Sequence, residues 1–98
     1  VVGLTRAVAL EVAKKGVTVN AICPGFVETP MTGLTIAGIA SKSRLNEDQA
    51  RAYLEGLSPQ GRLVTSDEVA ELAWYLSTEA ARGIHAQAIP LDGGAVQA

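Results

Sequence analysis

The sequence predicts an α/β fold, and two observations carry that expectation. A helical pattern over the first fifteen residues runs through a single glycine straight into an alternating β-run. A second β-run closes the chain after another amphipathic helix. Helix, glycine and strand make half of a βαβ unit, in which a crossover helix joins two parallel strands. The strand that precedes the first helix is expected to lie outside these residues.

The elements follow in order. From Val1 to Lys15 the larger apolar residues fall at positions 1, 4, 8 and 12, on one helical face. Glu11 and Lys15 form an i,i+4 pair in the favourable orientation, and Lys14 and Lys15 suit the negative end of the helix dipole. Gly16 is placed to end the helix in the left-handed conformation. The next strand is expected over Val17–Ile22, with Val17, Val19 and Ala21 on one face and Thr18, Asn20 and Ile22 on the other. Pro24, which has no N–H for a ladder, is expected to stop it.

Residues 30–46 are weakly patterned, with Met31, Leu34, Ile36, Ile39 and Leu45 scattered among Gly, Ser and Thr. Two readings stay open for this stretch: a lid or binding loop, or a loosely packed surface excursion. Asn46 then opens a short helix with Gln49 at the capping-box position and Gly56 as its stop. Ser58-Pro59-Gln60-Gly61 is a turn cluster. Thr65 and Glu68 form a second capping box, and Val64 and Val69 have the spacing of a hydrophobic staple. Val69, Leu72, Ala73 and Leu76 are the expected buried stripe of that helix, flanked by Trp74 and Tyr75. Arg82-Gly83 closes the connection to a strand over Ile84–Leu91. Asp92-Gly93-Gly94 is the turn that ends it, and Pro90 points to an edge strand or to a place where pairing stops.

Composition narrows the function classes. At 98 residues the chain makes at most one small domain. With 48% hydrophobic and 18% charged residues it has the balance of a globular protein. Its four aromatic residues leave the core to Ala, Val, Leu and Ile. A net charge of −2 offers no field for nucleic acid or an anionic membrane. The lone Cys23 excludes an internal disulfide and fits a reducing, cytoplasmic setting. No apolar run reaches bilayer-spanning length, and the first residues lack the order of a leader. Val1-Val2-Gly3-Leu4 reads as the inside of a helix, so the chain is expected to be a piece of something longer.

The stretch that can bear chemistry is Val17–Met31. Ligands of open α/β sheets bind outside the carboxyl ends of the strands, and this strand ends in Pro24-Gly25 and a loop with one hydroxyl and one carboxylate. Thr29 can both donate and accept a hydrogen bond there. Glu28 beside Thr29 is read either as an acid/base pair or, preferably, as a solvated carboxylate. His85, inside the expected second strand, is assigned a structural or surface role, and Cys23 that of a small packing residue. One histidine and one cysteine do not make a metal site. Gly93-Gly94, with no helix after it, is not a phosphate cradle. The residues alone lead to a ligand-contacting edge of an α/β sheet.

Gly3-Leu4-Thr5-Arg6, Val19-Asn20-Ala21-Ile22-Cys23-Pro24-Gly25, Thr29-Pro30-Met31, Gly61-Arg62 and Leu91-Asp92-Gly93-Gly94 occur in that order over nearly the whole chain. In this arrangement the chain resembles the C-terminal portion of a short-chain dehydrogenase/reductase. It is similar to bacterial 3-oxoacyl-acyl-carrier-protein reductases and 3-hydroxybutyrate dehydrogenases. The resemblance implies the C-terminal part of a Rossmann-type doubly wound parallel sheet, with two strands and flanking helices in residues 1–98. It implies NAD or NADP as cofactor, with Pro24, Gly25, Val27, Thr29 and Met31 on the cofactor side and Phe26 and Leu34 on the substrate side. Residues 30–57 would form the substrate lid. The first helix and the last helix and strand would enter subunit interfaces of a homodimer or homotetramer.

The family's glycine-rich phosphate turn and its catalytic Ser, Tyr and Lys have no counterpart in these residues. No catalytic residue is therefore assigned here, and the isolated chain is expected to be inactive. Ala86 stands where relatives commonly have Gly. The expected function is that of an oxidoreductase fragment acting on a secondary alcohol or ketone. The alternatives are a non-catalytic interaction module and a pseudoenzyme of the same fold.

Overall fold

The computed structural model describes residues 1–96. Among these residues the order is α1 (Val2–Val12), β1 (Ala21–Pro24), β2 (Val27–Glu28), α2 (Pro30–Ser43), α3 (Glu47–Gly56), β3 (Val64–Thr65), α4 (Ser66–Leu76) and β4 (Ala88–Leu91). A 3-10 turn at Ala13–Lys15 extends α1, and another at Glu79–Ala81 follows α4. The strands form two parallel pairs, β1 with β4 and β2 with β3. The α/β expectation holds. The expected two strands become four, because the two-residue β2 and β3 are too short to leave a period in the sequence.

Gly16 ends the first helical stretch at φ 74, as its place predicts. The next strand does not run over Val17–Ile22. Pairing begins at Ala21, opposite Ala88, and extends to Pro24, opposite Leu91. The reason lies in the facing chain, where Ala86 adopts φ 60 and breaks the extended run. That left-handed residue also shortens the expected Ile84–Leu91 strand to Ala88–Leu91 and leaves His85 outside it. Side chains complete the pairing that the ladder loses. The Val19 N–H donates to His85 Nδ1 at 3.2 Å, and His85 Nε2 bonds the Ala9 carbonyl at 2.7 Å. Asn20 donates to the Ile84 carbonyl at 3.0 Å and accepts from the Gln87 N–H at 3.1 Å. His85 thus has the structural role assigned to it.

β1 ends at Pro24 as expected, and Pro24 itself still sits opposite Leu91 as the last paired residue. The Ala21 N–H donates to the Gln87 carbonyl at 2.8 Å and the Gly25 N–H to the Leu91 carbonyl at 3.0 Å. Alternation along a strand then turns the N–H positions of Pro24 and Pro90 away from this pairing, where a missing donor costs it nothing.

The weakly patterned stretch from 30 to 46 is mostly helix rather than an irregular loop or a loose excursion. Thr29 is the N-cap of α2 and Pro30 its first helical residue, a position where proline's missing N–H and fixed φ are favourable. Gly33, Gly38 and the threonines dilute the pattern, but Thr32, Ile36, Ile39 and Ala40 keep one face. Arg44 closes the helix at φ 56. Ile36 packs with Ala50 and Leu54 of α3 and with Leu63, and Ile39 and Ala40 border that cluster.

Both predicted capping boxes are present, Asn46 with Gln49 and Thr65 with Glu68. The expected buried stripe of α4 is not buried among the described residues. Val69, Leu72 and Leu76 are half-buried and Ala73 is exposed. Trp74 keeps 74% of its surface in solvent. The Asp92 turn forms as expected, with Gly93 at φ 68 and Gly94 at φ 94. Asp92 Oδ1 accepts from the Gly94 N–H at 3.0 Å and Oδ2 from the Val96 N–H at 3.1 Å.

Candidate functional site

At the carboxyl end of β1 the chain turns through Gly25 and Phe26 into β2, and α2 starts three residues after Val27. Gly25 passes against the Asp92 turn so closely that a Cβ there would lie 3.1 Å from Asp92 Cβ and 3.3 Å from its Cα. A larger residue at this place would have to push the Asp92 turn back by a few tenths of an ångström. The Phe26 carbonyl accepts from the Val64 N–H at 3.0 Å, which aligns β2 with β3. The Phe26 ring is exposed.

An open groove of about 510 Å³ lies at this edge. Pro24, Gly25 and Phe26 form one wall, and Leu54, Leu57 and Val96 contribute to the others. The lining is mostly apolar with a few polar groups, the general character of small-molecule sites. Val27, Thr29, Met31 and Leu34 do not line it. They occupy the adjoining corner where β2 enters α2, with Met31 and Leu34 exposed on the helix. The structure thus divides the candidate residues between a groove and a helix start.

At the helix start, the Thr32 hydroxyl donates to the Val27 carbonyl. The Thr29 hydroxyl is 3.4 Å from both the Thr32 N–H nitrogen and the Thr32 hydroxyl. Those separations are long for hydrogen bonds, so the Thr29 oxygen is held loosely. A residue's N–H and C=O lie on the same side of a strand, which turns the Val27 N–H toward α2 along with its carbonyl.

Glu28 is the exposed carboxylate preferred above, and its partner is Arg51 rather than Thr29. It takes both forks of the Arg51 guanidinium, with Arg51 Nη1 donating to Oε1 at 2.7 Å and Nη2 to Oε2. Hydrogen bonds from Arg51, assisted by its charge, hold the Glu28 carboxyl below its ordinary pKa. Arg51 is twenty-three positions away, so no local motif could have paired the two. Thr32 carried a weak signal, since a hydroxyl three residues after an N-cap threonine returns to the same turn. Cys23 is half-buried and borders the groove. Among the described residues no group of three His, Cys, Asp or Glu has the arrangement of a metal site. No helix among them is long and apolar enough to cross a membrane.

A Rossmann-type α/β fold with an apolar groove at the carboxyl end of a strand defines a class that comparison with known proteins narrows to one family. The family model described as enoyl-(acyl carrier protein) reductase matches residues 1–96. The chain belongs to this family, a branch of the short-chain dehydrogenases/reductases. It is 43% identical over 95 residues to D-beta-hydroxybutyrate dehydrogenase of Cupriavidus necator, a match covering 96% of this chain and 37% of that protein. It is 38% identical over 94 residues to 3-oxoacyl-[acyl-carrier-protein] reductase of Vibrio harveyi, covering 96% of this chain and 34% of that one. The crystal structure of an actinorhodin polyketide ketoreductase variant with NADPH superposes with a TM-score of 0.88 at 39% identity, over 96% of this chain and 36% of that one. The chain spans about a third of the length of these relatives.

Proposed function

We propose that the protein carrying this chain is an NAD(P)-dependent oxidoreductase. It interconverts a secondary alcohol and a ketone, with 3-hydroxyacyl and 3-oxoacyl compounds as the substrate class. The observation that carries this reading is the similarity, over nearly the whole chain, to a hydroxybutyrate dehydrogenase and a 3-oxoacyl reductase. The segment Pro24–Met31 lies at the carboxyl end of a parallel strand, which supports it further.

When bound, the nicotinamide supplies or accepts the hydride. The chain's own residues position. Pro24 and Gly25 offer a flat, nearly bare backbone wall beside the ring. The Val27 backbone holds the carboxamide, and the loosely bonded Thr29 hydroxyl is able to exchange Thr32 for a cofactor oxygen. Met31, in the first turn of α2, places its N–H near the positive end of that helix, where a pyrophosphate is favoured. Phe26 and Leu34 face the substrate, with residues 30–57 as its cover. Orientation of this kind contributes a large share of a barrier reduction. Proton transfer is assigned to Ser, Tyr and Lys groups outside these residues, so the isolated chain is inactive in this reading. A cytoplasmic homodimer or homotetramer is its setting, and the exposed Leu4, Leu10 and Trp74 are suited to such contacts.

Thr29→Val in the intact protein tests the assignment. Loss of one hydrogen bond to the cofactor, worth about 0.5–1.5 kcal/mol, raises the nucleotide KM about two- to tenfold. Lys42→Ala, on the exposed side of α2, leaves it unchanged. An unaltered KM and kcat in Thr29→Val removes Thr29 from the site.

A further inference from the structure

We propose that Arg51 is a positioning residue: from α3 it grips Glu28 and so fixes the Val27–Thr29 segment that receives the nicotinamide nucleotide. The proposal rests on the assignment of Val27 and Thr29 made above.

Glu28 lies between those two residues, and β2 is only two residues long. Its ladder to β3 joins Val27 to Val64 and Glu28 to Thr65 and nothing more. So short a pairing fixes a backbone weakly. Arg51 supplies the missing restraint, because a planar guanidinium fork on both carboxylate oxygens fixes orientation as well as distance. Its own base is firm. Ala50 and Leu54 on either side of it in sequence are buried in the core. Glu55, one helical turn on, approaches Arg51 Nε at 3.7 Å and steadies the guanidinium. From α2, the Thr32 hydroxyl takes the Val27 carbonyl. The α2–α3 hairpin therefore holds β2 at two adjacent residues. A shift of α3 is passed directly to the cofactor-side segment, which links the substrate cover to the nucleotide.

The side chains of Arg51 and Glu28 are 39% and 50% exposed, so salt screens their attraction. That separates this contact from a packing role. The test measures nucleotide Kd and thermal midpoint in the intact protein, at low and high salt. The variants are Arg51→Met, Glu28→Gln, the exchange Glu28→Arg with Arg51→Glu, and Thr29→Val. Arg51→Met is expected to weaken nucleotide binding about two- to fivefold at low salt, with little change in thermal midpoint. The penalty shrinks at high salt, and the exchanged pair regains at least half of it. Glu28→Gln, which keeps the side-chain shape, gives the same sign should the exchange fail to fold. Parent-like Kd values in Arg51→Met and Glu28→Gln, with weakened binding in Thr29→Val, overturn the role of Arg51 and leave the site assignment standing. Parent-like values in all three overturn both. A loss that neither salt nor Glu28→Gln reproduces makes Arg51 a packing residue and also overturns the proposal.

Discussion

Around α2 and α3 the chain buries branched side chains of its own, Ile36, Leu54 and Leu63 with Ala50. Around α1, β1, β4 and α4 the buried apolar residues among the described ones are small, Ala9, Ala21 and Ala81. There Leu10 is 79% exposed and Trp74 nearly as much. That second region is tied by polar bridges instead, His85 between Ala9 and Val19 and Asn20 between Ile84 and Gln87. The contrast teaches that the proposed substrate cover carries its own core. The sheet region holds its register by hydrogen bonds and leaves apolar side chains such as Leu4, Leu10 and Trp74 exposed.

Truncation should separate the two regions most sharply. Leu54→Ala is expected to lower unfolding free energy by about 2–5 kcal/mol, from lost burial plus the cavity left behind. Leu10→Ala changes it by no more than about 0.5 kcal/mol while that face stays in water. Denaturant unfolding of both variants of the intact protein reads the difference. Equal losses would show that Leu10 is covered there, and the contrast would then belong to this chain alone.

Strain sharpens the comparison from the other side. Ala86 at φ 60 is a residue with a Cβ in a left-handed conformation, at a cost of about 1–2 kcal/mol. Glycine would remove that cost while losing about 0.5–1 kcal/mol to chain entropy. Ala86→Gly is therefore expected to stabilise by about 0.5–1 kcal/mol, because the Ala86 N–H bond to the Val19 carbonyl at 2.8 Å is kept. Unchanged or reduced stability in thermal unfolding would mean that Ala86 carries no net strain.

What the sequence made legible follows the range of each interaction. Capping boxes at Asn46 and Thr65, the Gly16 stop and the Asp92 turn are local chemistry, and all were readable. The α2 helix was not, because glycine and threonine dilute its face and its true signal was the Thr29-Pro30 start. Strand ends were misplaced because Ala86, far along the chain, decides where β1 begins to pair. The positions of Pro24, Gly25 and Phe26 at one apolar edge were foreseeable from the break after a β-run. Arg51 was not, since nothing near Glu28 announces a partner on another helix.

The smallest expected effect lies at the seam between the two regions. Arg62, ahead of β3, donates through Nη1 and Nη2 to both oxygens of Glu68 on α4, at 2.6 and 2.9 Å. Those bonds, followed by one from the Thr65 backbone N–H, lower the Glu68 pKa from an ordinary 4.5 to about 2. A carboxylate whose pKa is depressed in the folded state stabilises fully above its unfolded value, and that contribution fades as pH falls toward the folded one. The window is therefore about pH 4.5 down to about 2. Both side chains are partly in solvent, so the effect is modest and salt-sensitive. Glu68→Gln should lower stability slightly at neutral pH and flatten its decline within that window, as followed by thermal unfolding at a series of pH values. A decline as steep as the parent's would assign the acid sensitivity to other carboxylates and leave the seam without an ionic contribution.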